Sequence, residues 1–224
     1  MNTFAFAPEL TTESVLAATK ISVDQTIDEV MNSLPRMDQL SSEQRRGIIA
    51  RYTAVLEGNF IYWMTAAYLA VKSEAARPII IDNLTEEVRD SHPAMLRRFA
   101  VAAHAFPTDS DALAVDHELT QMRLFFGRLS GVQILVTMAF FEGFIQRYMS
   151  YLADLAVAQG SSELEYTDVH GVCDIAHTEG LIQALSMEMA LNPLAPDADI
   201  FEGVRLLESL VNRVVNVDGT PVAA

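Results

Sequence analysis

The stretch from Val132 to about Ala158 limits most how this chain can fold, because as an α-helix it is apolar on almost every side. A helix of that kind must be covered from all directions. The purely apolar run from Val132 to Phe141 is stopped by Glu142 and is too short to cross a bilayer. It therefore reads as the centre of a helical bundle. With 50% hydrophobic residues the chain has enough material for that core, and 224 residues suit a single domain. No stretch alternates as a strand would, and Pro78-Ile79-Ile80-Ile81 is too short to build a sheet.

Periodicity and breakers predict seven helices, hence an all-α, single-domain, seven-helix bundle. The first runs from Thr11 or Thr12 to Leu34 and is ended by Pro35. Ser41-Ser42-Glu43-Gln44 matches a capping box and opens a helix that runs to about Lys72. A third runs from about Ile79 to Ala105, with Pro93 predicting an irregular turn near Ser91 and His92. Others cover about Asp109–Leu129, Val132–Ala158, a segment capped by Thr167 or Asp168, and Ile200–Val215. Residues 1–10 read as an arm offering Phe4 and Phe6, and Asn192–Asp197 as a turn.

Acids outnumber bases 30 to 15, a formal charge of −15. That balance argues against a nucleic-acid backbone or an anionic membrane as partner. A lone cysteine, Cys173, rules out an internal disulfide and fits a reducing compartment. The opening residues show no basic signal-peptide region. The expectation is a cytoplasmic protein acting on a small molecule, with no nucleic acid and no membrane, and with a homodimer left open.

The chemistry concentrates in residues 167–180, TDVHGVCDIAHTEG. At about 100° per residue, Asp174 lies about 40° from His170, and His177 about 20° to the other side. Two imidazoles and a carboxylate thus share one stripe, a mixed N/O set suited to non-haem iron. The rest of such a site should come from acids set in apolar helix surroundings, where an unpaired carboxylate is costly. Glu142, in LVTMAFFEGFIQ, and Glu57, in AVLEGNFIYW, meet that description. Glu86, Glu87 and His92 follow in NLTEEVRDSHPAML, although acids near a helix start also serve the helix dipole. His104 and His117 are weaker candidates, and Cys173 reads as packing.

Taken in order, Glu57, Glu86-Glu87 with His92, Glu142, and His170-x3-Asp174-x2-His177 resemble the ligand series of the haem-oxygenase-like di-iron oxidases and oxygenases. The likeness covers about residues 41–190. It implies a haem-oxygenase-like bundle without haem, holding two Fe2+ ions through Glu57, Glu86, His92, Glu142, His170, Asp174 and His177. It further implies O2 as co-substrate, a peroxo-di-ferric oxidant, and oxidation of an amino acid or carboxylic acid in a biosynthetic pathway. The chain departs from regular helical spacing between the second carboxylate and its histidine. Glu86 is the expected ligand because it lies closer to two helical turns from His92, which leaves Glu87 either supporting the ligands from behind or facing solvent. Two alternatives stay open: a cofactor-independent or hydrolytic protein, like thiaminases or quinone-cofactor oxidases of that fold, and a non-enzymatic metal-binding helical protein.

Overall fold

A computed structural model describes residues 11–191 and 198–216, so the arm bearing Phe4 and Phe6 and the turn Asn192–Asp197 lie outside it. Among the described residues there are nine α-helices and no strand: α1 Thr12–Asn32, α2 Ser42–Leu56, α3 Asn59–Ala70, α4 Arg77–Arg89, α5 His92–Ala102, α6 Asp109–Phe126, α7 Gly131–Ala158, α8 Glu165–Leu191 and α9 Glu202–Val215. None of the described helices is long and apolar enough to cross a membrane.

The helical bundle expected from the sequence is present, with nine helical segments where seven were predicted. Two of the long helices are each cut once. Ser41 and Gln44 form the predicted capping box, but α2 ends at Leu56 because Gly58 adopts φ 81°, which glycine enters without steric cost. The second cut falls at Ser91, which takes the left-handed φ of 57°. Pro93 then occupies the first turn of α5, where its missing N–H is not needed. This is the irregular turn that Pro93 predicts. At the other end, α8 begins at Glu165 rather than after Thr167 or Asp168, which places Tyr166 inside its first turn.

α7 is the central element, and 18 of its 28 residues are buried. It lies along α8 and also touches α1, α2, α3, α5 and α9, so Glu142 at its midpoint is 1% exposed. The helices α4 and α5 pack on α8, and His92, just after their junction, meets His170 in its first half. α9 is amphipathic and seats Gly203 against α6 and α7. A Cβ there would lie 2.1 Å from Thr137 Oγ1 and 2.5 Å from the Phe125 ring. Gly203→Ala is therefore expected to destabilise the fold by about 1–3 kcal/mol in a urea melt, the usual cost of overpacking.

Candidate metal centre

Four helices deliver the titratable groups to one interior volume. α8 carries His170, Asp174 and His177 on the predicted stripe, and all three are buried. α7 contributes Glu142 from the opposite wall. The broken α4–α5 pair contributes Asn83, Glu86, Glu87 and His92.

The first half of the cluster is Glu87, His92 and His170. Their ligand atoms lie within 4.8 Å of one another, and all three residues are buried. Glu87 Oε1 is 2.7 Å from His92 Nδ1 and 3.7 Å from His170 Nε2. The two imidazoles meet edge to face at 4.5 Å between ring centroids. The other nitrogen of His170, Nδ1, sits 2.8 Å from the carbonyl oxygen of Tyr166. A carbonyl can only accept, so Nδ1 carries the proton and Nε2 is the nitrogen turned to the cluster. Burial raises the pKa of Glu87, but the His170 and His92 imidazoles beside it outweigh that and pull the value to about 2.

The second half is Glu142, Asp174, His177 and Glu86. His177 Nδ1 is 3.5 Å from Asp174 Oδ1 and 3.7 Å from Glu142 Oε2, and its Nε2 is 2.9 Å from Glu86 Oε2. Asn83 donates its amide to Glu142 Oε1 at 2.7 Å. The Cys173 thiol donates to Asp174 Oδ1, and burial pushes the pKa of that thiol up. Burial and the neighbouring Asp174 raise Glu142 to about 7. Burial lowers His177, but Asp174, Glu142 and Glu86 outweigh it and raise the value to about 11. Without metal, this half of the cluster thus retains protons that a bound cation would displace.

The residue set fits a metal. Asp174 Oδ2 and His177 Nδ1 are buried without a hydrogen-bond partner, although nearly all such atoms in folded proteins have one. Both point into a cluster of carboxylates and imidazoles, where a cation would satisfy both.

Of the expected ligands, Glu86, His92, Glu142, His170, Asp174 and His177 come together. Glu57 does not join them. It is the C-cap of α2, and its side chain, 29% exposed, is hydrogen bonded to Arg97. The break at Gly58 turns it toward the outside, so its apolar neighbours on a continuous helix are not its surroundings in the fold. The acidic doublet is also arranged opposite to expectation. Glu87 is the buried acid between two histidines, whereas Glu86 sits at the mouth with a side chain 42% exposed. Counting toward two regular turns favoured Glu86, but Ser91 interrupts the helix, so the count no longer measures the face. Glu87→Ala is expected to weaken Fe(II) binding more than Glu86→Ala in anaerobic titrations, since its carboxylate touches two imidazoles and that of Glu86 one.

Sequence reasoning passed over Asn83 and the tyrosines behind His170. Asn83 lies three and four residues before the acidic doublet and so shares its helical face, a signal that was legible. The Tyr166 ring packs on His170 at 4.2 Å, and its hydroxyl meets that of Tyr52 at 2.9 Å. Burial raises both phenols, which stay neutral and buttress the imidazole. Their pairing bridges residues 114 apart, and no local pattern announces it.

A small cavity of about 20 Å3 adjoins the cluster. Glu87, His92, Glu142 and His170 form one side of it, and Leu56, Phe60, Ile61 and Ile145 the apolar side. Phe60 thus supplies part of an apolar wall beside the cluster, whereas Trp63 and Met64 lie in the core away from the cavity, with the Trp63 indole stacked on Phe126 at 5.4 Å. No protein-family model, no curated protein and no solved structure matches the chain.

Proposed function

We propose that this protein is an O2-dependent non-haem di-iron oxidase or oxygenase of a small organic molecule. The observation that supports this reading is the buried convergence of Glu87, His92, Glu142, His170, Asp174 and His177, with Asp174 Oδ2 and His177 Nδ1 unpaired. Three imidazoles and three or four carboxylates, counting Glu86, are a hard, mixed N/O donor set of the kind that serves iron. They balance the charge of two Fe2+ closely enough to make burial tolerable. Two ferrous ions held there would supply the electrons for activating O2.

The chain's own residues divide the remaining work. Glu87, His92 and His170 would hold one ion, and Asp174 and His177 the other, with Glu142 placed between the two sets. Tyr166 fixes the tautomer of His170 through its carbonyl oxygen, and Asn83 orients Glu142. Such partners of ligands set geometry and basicity. Leu56, Phe60, Ile61 and Ile145 keep water from the Glu87 side, and the adjoining space suits a diatomic rather than a substrate. The exposed carboxylate of Glu86 can take up or release the proton of His177 Nε2 where the cluster meets solvent.

The test is anaerobic Fe(II) loading with whole-protein metal analysis, followed by O2-uptake measurements. Two irons per chain and O2 consumption on exposure to air support the oxidase. Bound iron without O2 consumption would favour metal storage, and no bound iron would reject both.

A further inference from the structure

The cluster has a second flank. Between α4 and α8 a groove of about 410 Å3 opens onto the corner formed by Glu86 and His177. Cys173, Ala176 and Gly180 line it, and a Cβ on Gly180 would lie 2.9 Å from Ile79 of α4. Unlike the cavity on the Glu87 side, the groove is large enough for a small organic molecule beside the donor set.

Its free polar groups are hydrogen-bond acceptors, because the Cys173 thiol and His177 Nε2, donors that line it, are committed to Asp174 and Glu86. Asp82 and Glu86 supply two carboxylates, one turn apart on α4, and both line the groove. Asn83 lies between them and is 4% exposed. Its amide N–H is committed to Glu142, while its carbonyl oxygen Oδ1 is buried with no hydrogen-bond partner. A buried acceptor left unpaired costs free energy until a donor reaches it. Ile79 and Leu181 offer apolar surface alongside, and among the described residues no lysine or arginine lines the groove. Glu86 is paired with His177, so a carboxylate entering here would face the unpaired like charge of Asp82 and a carbonyl oxygen. An ammonium group would find three acceptors. The formal charge of −15 biases approach toward cations in the same sense.

We propose that the α4–α8 groove binds a small molecule through an ammonium group on a short aliphatic chain, with Asp82 and Asn83 Oδ1 as anchors and Ile79 and Leu181 against the chain. The substrate class is thus an alkylamine, or an amino acid held by its amino end rather than by its carboxylate. This assignment rests on the oxidase reading for its role, but the groove's ligand preference can be measured apart from that reading.

The experiment titrates n-butylammonium and butanoate calorimetrically into the full-length chain, both metal-free and after anaerobic Fe(II) loading. Wild type, Asp82→Asn and Ala176→Leu are compared, with circular dichroism and iron stoichiometry recorded on every sample. The expected result is saturable binding of n-butylammonium and none of butanoate over the same concentrations. Asp82→Asn removes one charge-assisted hydrogen bond and should weaken butylammonium binding by roughly tenfold. Ala176→Leu fills the groove from α8 and should weaken it comparably, and both variants should hold as much iron as wild type. Equal binding of butanoate, or wild-type affinity in Asp82→Asn, would overturn the assignment. So would loss of iron in Asp82→Asn without any butylammonium binding by wild type, which would make the groove an ion route. Iron binding without butylammonium binding rejects the groove assignment alone, whereas butylammonium binding without iron rejects the oxidase and leaves the amine site standing.

Discussion

Metal-free Glu142→Gln should be more stable than the metal-free wild type above pH 7, and it should lose most of its capacity for iron. Glu142 is fully buried, and burial together with Asp174 raises its folded value from 4.5 to about 7. For an acid raised on folding, the favourable contribution is complete below the unfolded value and is lost as pH rises through the folded one. Wild type should therefore lose stability between about pH 4.5 and 7, with the change complete above 7. Taken alone, that shift amounts to about 3 kcal/mol. The glutamine also stops supporting the charge on His177, which returns part of the gain and leaves a net on the order of 1–2 kcal/mol. Its amide oxygen can still accept from Asn83, so the packing is retained. Urea melts at pH 5 and pH 8, with and without Fe(II), measure both effects. A metal-free variant less stable than wild type that binds iron normally would mean that Glu142 is a structural partner of His177 and no ligand.

Asp174→Ala should lower Fe(II) affinity by roughly 100-fold or more, since changes to mere partners of ligands already cost 10–100-fold. The metal-free fold should be almost untouched. Asp174 accepts one weak hydrogen bond from a thiol, leaves Oδ2 unpaired, and lies 3.5 Å from an imidazole that keeps Glu86 at 2.9 Å. Removing an incompletely paired buried charge should therefore change metal-free stability by ~1 kcal/mol or less. A structural ion pair would behave differently, because deleting one partner typically costs about 3–5 kcal/mol. A variant that melts far lower yet binds iron as wild type does would make the α8 stripe a scaffold. Iron should also raise the midpoint of wild type and not that of Asp174→Ala, because a ligand stabilises only the state that binds it.

The legible parts of the sequence were those governed by local rules. The His170, Asp174 and His177 stripe follows from helical angles alone, and it converges as those angles require. The burial of Glu142 follows from the unbroken apolar surface of α7, which no other packing could satisfy. Glu57 had a comparable sequence neighbourhood, but its apolar face depended on a helix continuing through Gly58. The chain turns there instead, and a single positive φ moved the carboxylate out to Arg97. Glu86 and Glu87 illustrate the same limit, because counting residues to His92 assumes one helix axis and Ser91 supplies two. Acids next to a break cannot be assigned to a face until the direction of the second helix is known. That direction is fixed by packing against α8 and not by any nearby residue.

The pairing of α7 with α8 also bears on the order in which the donor set comes together. These two helices are joined by residues 159–164 alone, and together they carry Glu142, His170, Asp174 and His177. Closing so short a connection sacrifices little chain entropy, whereas each doubling of loop length adds about 0.6 kcal/mol. Glu86 must reach His177 across 91 residues, and Asn83 must reach Glu142 across 59. Contacts of that span are the slow ones in a folding chain. The antiparallel α7–α8 pair can therefore draw four of the donors into register by itself, as a local event. The α4–α5 pair closes over an arrangement already half made, and the groove beside Glu86 is the seam along which that closure takes place.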